Sequence, residues 1–256
     1  MIDLTAQKPP LIRLENVSKT YRRAGLETLA VQDVTFDVHE GDLLSIVGAS
    51  GCGKTTVLKI LAGLQQATGG TIAFNGLTEG RDVGMVFQQP LLLKWRTIRE
   101  NVLLPAHILG LDRTKAQARA DDLLDMVGLG HAADRYPYEL SGGMQQRAAI
   151  ARALLHDPKL VVMDEPFGAL DAITREKMNL EILRIRKDTG KTFVFVTHDI
   201  QEAVFLGSAV AVLTSGPARM ADYFAITLPG ERGLNIKLTQ PFADYVDRIY
   251  GLLGLR

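Results

Sequence analysis

Two early stretches of the chain, Leu11–Val17 and Val34–Val38, alternate apolar and polar positions. A period of two puts every second side chain on one face, so both predict half-buried strands of an antiparallel sheet. Leu43–Val47 is apolar almost throughout and runs into a glycine, which suits a strand covered on both faces. A helix is expected over Lys54–Leu61, then Gly69-Gly70 leading a strand at Thr71–Phe74, and a short strand at Val83–Phe87. From Thr97 the period lengthens. Helical spacing holds over Thr97–Leu109 and Thr114–Val127, and a third helix is predicted from Ser141 to His156, ahead of Asp157-Pro158. Strands return at Leu160–Met163 and Thr192–Val196, separated by a helix over Ala172–Asp188 that stops at Gly190. This order implies a parallel α/β core interrupted by an all-helical insertion. Past about Leu228 one helix is expected, Phe242–Leu252, in a tail too short for a separate domain.

Charge narrows the function. Lys+Arg and Asp+Glu both number 29, a net charge of zero, so an electrostatically driven nucleic-acid binder is disfavoured. The lone cysteine, Cys52, excludes an intrachain disulfide and fits a reducing compartment. No apolar run approaches the roughly 18 residues of a membrane span. Met1–Thr5 has neither a basic nor an apolar signal segment, so the protein is expected to stay in the cytosol. Many of the 24 glycines gather in clusters, at 48–53, 69–70 and 142–143, where backbone must approach something closely.

The first cluster carries chemistry. Gly48-Ala49-Ser50-Gly51-Cys52-Gly53-Lys54-Thr55 matches G-x-x-x-x-G-K-[ST] between a buried strand and a helix, the context that motif requires. Its glycines let backbone N–H groups form an anion nest, reinforced by the helix N-terminus. Lys54 is expected to reach the β- and γ-phosphates of ATP and Thr55 to offer its hydroxyl to Mg²⁺. Gly48, Ser50, Gly51, Cys52, Gly53 and Thr56 complete the candidate phosphate set. Leu160–Met163 ends in Asp164-Glu165, and ligands collect at the carboxyl ends of parallel strands. Asp164 is therefore expected to hold Mg²⁺ and Glu165 to act as general base on the attacking water. Two readings are open for Cys52: beside Lys54 and a helix N-terminus it would react with alkylating agents and be protected by ATP, or it merely fills an x position with its sulfur turned away.

Leu140-Ser141-Gly142-Gly143-Met144-Gln145-Gln146-Arg147 resembles the signature motif of ABC-type ATPases. Ser141 is a good helix cap, and the glycines after it expose N–H groups. The resemblance implies that Ser141, Gly142, Gly143 and Gln145 meet the γ-phosphate of ATP held by another subunit, in a head-to-tail homodimer formed on ATP binding. Other landmarks fall in order. Tyr21 resembles the aromatic that stacks on adenine, and Gln88 the glutamine that senses Mg²⁺ and water. Phe167–Asp171 is similar to the loop that crosses the dimer interface, with Asp171 counted among the nucleotide-site residues. His198 resembles the switch histidine on the γ-phosphate.

The resemblance spans about residues 11–228 and implies a P-loop NTPase (RecA-like) fold with an N-terminal antiparallel β-subdomain and an inserted helical subdomain. A catalytic core of about 1–88 and 159–228, a helical part of about 89–158 and a tail of 229–256 are expected. Pro90–Thr97 and Glu165–Arg175 look like the ATPases of nitrate/sulfonate/taurine-type importers, though Lys94 stands where proline is usual. An ATPase subunit at the cytoplasmic face of the membrane is implied, driving permease subunits fed by an external solute-binding protein. The rivals are an exporter or lipid-transport ATPase, differing only in its membrane partner, and a soluble ABC ATPase, whose usual coiled-coil insertion or second cassette is missing here. A P-loop kinase is set aside by the signature stretch. Leu91, Leu92 and Trp95 are expected in a loop, either lining a permease-binding groove or packed within the insertion.

Overall fold

The strand before the glycine loop is buried at all its positions, and its two faces serve two different cores. In this computed structural model, which describes residues 9–23, 25–78, 81–168, 170–214, 216–229 and 232–255, the strands in chain order are β1 (Ile12–Arg23), β2 (Leu26–Val38), β3 (Leu43–Gly48), β4 (Gly69–Phe74), β5 (Val83–Val86), β6 (Leu160–Asp164), β7 (Thr192–Thr197), β8 (Ala209–Leu213) and β9 (Met220–Ala225). The α-helices are α1 (Lys54–Leu61), α2 (Ile98–Val102), α3 (Leu104–Leu109), α4 (Arg113–Met126), α5 (Gly142–Leu154), α6 (Ala172–Thr189), α7 (Ile200–Leu206) and α8 (Gln240–Leu252). Met1–Thr5, read above for a signal, and Ala169 of the interface loop lie outside the described residues.

β5-β6-β7-β3-β8-β9 is one sheet, parallel except for the antiparallel edge pair β8–β9. Leu43 and Val47 point to the side covered by the helical insertion, with Phe193 and Phe195 of β7. Leu44 and Ile46 point to the other side, with Val194 and Val196, onto α1 and the small sheet β2-β1-β4. Double coverage explains the unbroken apolar run. The small antiparallel sheet is exposed on one face, so its strands alternate. They run longer than their apolar segments suggested, because their far ends pair through polar residues such as Arg22 and Glu27.

Between β5 and β6 the described residues form helices and turns. The expected helix over Thr97–Leu109 is two helices, α2 and α3, meeting at Leu103. Pro105 has no N–H to continue an α2 hydrogen-bond ladder, and it sits instead in the first turn of α3, where none is needed. Thr97 and Glu100 cap α2 reciprocally. Among the described residues no helix is long and apolar enough to cross a membrane.

The loop entering the insertion is tied from below. Buried Asn101 accepts the N–H of Leu93 at 2.7 Å and donates to the carbonyls of Leu93, Arg96 and Thr97 at 2.9–3.1 Å. Arg152 of α5 donates to the carbonyls of Pro90 and Leu91 at 2.7 and 2.8 Å. Leu92 packs on the core, whereas Trp95 is 74% exposed and Leu91 54%. The backbone clamp, rather than the large apolar side chains, shapes this loop. Asn101→Ala should therefore cost about 2–4 kcal/mol in urea denaturation, since it strands buried backbone groups. Trp95→Ala should change stability by no more than about 0.5 kcal/mol. Similar losses in both would make Trp95 a core residue after all.

Candidate active site

Three parallel strands end at one edge, and each delivers part of the site. β3 delivers the glycine loop, β6 Asp164 and Glu165, and β7 Thr197 and His198. The loop closes on Gly53, whose φ of +119° and 2.6 Å clearance from the Ala30 carbonyl admit no side chain. That turn starts α1 and sends Lys54 back beneath its own loop. The Lys54 ammonium is 4% exposed and donates to the carbonyls of Gly48 and Ala49 at 2.9 Å each. Glu165 Oε1 lies 3.7 Å away. A cation this buried, under a glycine loop and a helix N-terminus, can take a chain of phosphates.

Glu165 has φ of +42°, a left-handed backbone that is uncommon for a residue with a side chain. Its Oε2 lies 2.9 Å from His198 Nδ1. Thr55 donates its hydroxyl to Asp164 Oδ1 at 3.0 Å. Burial pushes the Asp164 carboxyl up, against the Thr55 hydrogen bond and together with the neighbouring Glu165 charge. A half-buried carboxylate beside a hydroxyl is a hard-oxygen pair that a divalent cation would relieve, so the residues fit Mg²⁺. Gln88 approaches from the end of β5, its amide nitrogen close to Gly168, which is itself near Glu165. Buried Gln146 of α5 donates to the Phe87 carbonyl at 3.3 Å, holding that segment.

Tyr21, at the far end of β1, sets its hydroxyl 3.3 Å from Thr56 Oγ1 at the start of α1. Lys19 lies over the same ring, 5.4 Å from its centroid. For Cys52 the structure favours the turned-away sulfur. Its side chain is 3% exposed and packs with the core beneath Gly48, so only its backbone, whose N–H reaches the Ala49 carbonyl, belongs to the loop. Ser50 and Gly51 are exposed.

The signature residues are elsewhere. Ser141 caps α5, its hydroxyl accepting the Met144 N–H at 3.4 Å, and Gly143 packs where a side chain would meet Thr174. Ser141 and Gly143 border a polar cleft with Arg147, Thr174 and Lys177. The hollow of about 410 Å³ holding Gly48, Ser50, Glu165 and His198 shares none of these residues. The Gln145 amide nitrogen, expected at a nucleotide, donates to the carbonyls of Pro137 and Leu140 and braces the turn before α5. Asp171 is the cap of α6, accepting the Thr174 N–H at 3.0 Å, and the Thr174 side chain, with that N–H second, holds its carboxyl below the usual range.

The family model described as ABC transporter matches residues 31–168. This chain belongs to the ABC transporter family. Within it the chain is an ATP-binding subunit with ATP hydrolase activity. It is 41% identical over 232 residues to the taurine import ATP-binding protein TauB of Jannaschia sp. (strain CCS1), covering 88% of this chain and 86% of that one. The nitrate import ATP-binding protein NrtC of Synechococcus elongatus is 46% identical over 199 residues, 76% of this chain and 30% of that longer protein. A solved ATP-binding cassette, dimeric in a post-hydrolysis state with ADP and Pi, superposes with a TM-score of 0.72 at 34% identity, over 87% of this chain and all of its own. The ABC fold and the parallel core with its added antiparallel sheet agree with the sequence reading.

Two features were beyond that reading: Gln146 and Arg152, both on α5, hold the segment that follows β5. Their signal was the helical spacing of polar residues on the signature helix. The burial of Cys52 gives a direct test. Maleimide should label the native protein slowly and equally with or without MgATP, and rapidly only in denaturant. Fast native labelling suppressed by ATP would restore the thiol to the phosphate site.

Proposed function

We propose that this chain is the ATPase of an importer for a small solute of the taurine, nitrate or bicarbonate kind, working at the cytoplasmic face of a membrane with permease subunits and an external solute-binding protein. The names of its relatives support that solute class, among them a bicarbonate transport ATP-binding protein, CmpC, 40% identical over 228 residues. The observation that carries the ATPase mechanism is the separation of two anion-directed surfaces, the Lys54 loop and the Ser141 cap, into different cavities of one chain. A single copy leaves each half unanswered. Two copies placed head to tail would close the Ser141–Gly143 turn of one over the phosphates held by the other.

In that sandwich Lys54 binds the β- and γ-phosphates, and Tyr21 stacks on adenine. Thr55, Asp164 and Gln88 would hold Mg²⁺, which supplies charge neutralisation on the phosphates. Glu165 takes a proton from the attacking water as the water oxygen bonds to the γ-phosphorus and the β–γ bond breaks toward ADP. His198, 2.9 Å from Glu165, orients that carboxylate and contacts the γ-phosphate. Contacts of the Ser141–Gly143 turn to the γ-phosphate held by the other copy exist only in the closed dimer, so ATP shifts the equilibrium toward closure and ADP does not.

An apolar groove of about 330 Å³, lined by Phe87, Leu91, Leu104, Ile108 and Arg152, adjoins the Gln88 segment. Leu91 lines it and Trp95 does not. A cytoplasmic permease helix seated there would read the position of Gln88 directly, since Arg152 holds the carbonyls of Pro90 and Leu91.

Glu165→Gln should bind ATP, lower hydrolysis about 10²–10⁴-fold, and collect as an ATP-bound dimer on a sizing column. Lys54→Ala should stay monomeric with ATP. Wild-type turnover by the glutamine variant would remove Glu165 from the role of base. Ile108→Asp, at an exposed groove position, should reduce co-purification of detergent-solubilised membrane subunits at least about thirtyfold, with the melting temperature unchanged. Undiminished co-purification would place the permease elsewhere.

A further inference from the structure

Glu202, in α7, is an acid with no contact to the phosphate site, yet it is 5% exposed and tied to the turn that carries His198. Its Oε2 accepts the Thr197 hydroxyl at 2.5 Å. The same hydroxyl accepts the Asp199 N–H at 3.0 Å. Asp199 in turn caps α7, its Oδ1 accepting the N–H of Glu202 at 3.0 Å, while its Oδ2 faces Arg175 of α6 at 3.7 Å. Thus Thr197 is fastened directly to the buried Glu202 side chain, and Asp199 is fastened to the Thr197 hydroxyl and to the Glu202 backbone. Between them the imidazole stands 54% exposed, directed at Glu165.

The remaining Glu202 oxygen, Oε1, is buried without a hydrogen-bond partner. An ionised carboxylate with one such oxygen is costly, whereas a neutral acid tolerates the site. Burial pushes this carboxyl up to about 7; the Thr197 hydrogen bond and the charges of Arg175 and His198 oppose the rise, and Asp199 adds to it. Arg232 and Lys237 act at the far end of α7, on its last carbonyls and the Phe205 ring. A leucine would fill the volume equally well but could not hold Thr197. The retained acid therefore serves the turn more than the core.

We infer that Glu202 is a positioning residue for ATP hydrolysis, holding through Thr197 and Asp199 the turn that sets the His198 imidazole against Glu165. The inference rests on the reading of His198 as a γ-phosphate contact. Loss of the tie should misplace a group that the reaction needs, without removing a contact to bound ATP. It should therefore lower kcat and spare KM.

Thr197→Val deletes the hydroxyl and keeps the shape, Glu202→Gln keeps a neutral hydrogen-bonding group, and Glu202→Leu keeps neither hydrogen bond nor charge. In the full chain, Thr197→Val and Glu202→Leu should reduce kcat for MgATP at least about tenfold, with KM within about twofold, and Glu202→Gln should stay within about threefold of wild type. Histidine ¹H–¹³C spectra supply the readout that general destabilisation would not give. Of the chain's five histidines, only the His198 resonance, identified by its loss in His198→Gln, should move in Thr197→Val and Glu202→Leu.

The folded carboxyl titrates at about 7 against 4.5 for its unfolded reference, so the folded state holds the extra proton. Wild-type stability from this group then falls as pH rises from 4.5 to about 7 and levels off above. The melting temperature of Glu202→Gln relative to wild type should accordingly rise across that window. Full activity in Thr197→Val, an unmoved His198 resonance despite lost activity, or shifts of all five resonances would each overturn the inference. Should Glu202→Leu fail to fold, Thr197→Val decides alone. Wild-type hydrolysis by His198→Gln would instead bring down the reading of His198 itself, and the inference with it.

Discussion

A lysine ammonium that is 4% exposed must have its charge answered by nearby oxygens, and much of this site follows from how Lys54 meets that demand. Its partners are two carbonyls of its own loop, which requires the chain to double back within six residues. The doubling back requires the Gly53 turn, and the turn requires a rigid strand before it. β3 is rigid because it is central in the sheet and covered on both faces. The carbonyls compensate the charge only in part, and Glu165 at 3.7 Å completes the set. Three phosphate groups would substitute for these partners without any new fold being built, and Glu165 would then be released toward water and His198.

The same demand is left open at the other end of the cassette. The α5 cap presents Ser141 and Gly142 to solvent, with the hydroxyl returned to its own helix. Its dipole favours an anion there, and the cleft it borders holds Arg147 and Lys177 beside one acid, Glu181. Two half-sites of matching polarity, each facing outward, make association the simplest way to answer both. The proposed sandwich would in this sense follow from electrostatics as well as from family membership.

Much of the fold was legible because periodicity tracks coverage: two-sided burial gave β3, β6 and β7 as apolar runs, and one-sided burial gave the alternating strands of the small sheet. The glycine loop, the Asp164-Glu165 pair and the signature stretch were legible because phosphate chemistry restricts residue types at fixed spacing. What escaped lies where those signals cancel. α7, Ile200–Leu206, is buried nearly all round and only seven residues long, so it shows no stripe; β9 beyond it is half-buried along most of its length and shows no alternation, and β8, an apolar run like β3, went unassigned. The split of α2 from α3 hinged on Pro105, which the helical spacing of Thr97–Leu109 masked. Cys52 stayed open between two readings because neighbours in sequence suggest a low thiol pKa, while the direction of its side chain, into the core beneath Gly48, is set by the loop's backbone. Asn101 and Arg152 act over backbone carbonyls, which leave no mark on residue type at the positions they hold.

One helix joins the two ends of the argument. α5 starts at the Ser141 cap, holds the Phe87 carbonyl through Gln146 one turn later, and holds Pro90 and Leu91 through Arg152 near its end. Thirteen residues of α-helix span roughly 20 Å and bend little on that scale. In the proposed dimer, a displacement of Ser141 by a phosphate on another copy would thus be transmitted as a rigid-body motion to the walls of the apolar groove. The contact at the opposite end works in reverse: a partner helix that spreads the groove moves the carbonyls Arg152 holds, and with them the cap. Because binding free energies are reciprocal, occupancy of the groove must then alter the affinity of the cap for phosphate by the same factor that phosphate alters the affinity of the groove for its partner. Coupling between hydrolysis and the proposed membrane partner would need no further moving part than this helix and the two loops it grips.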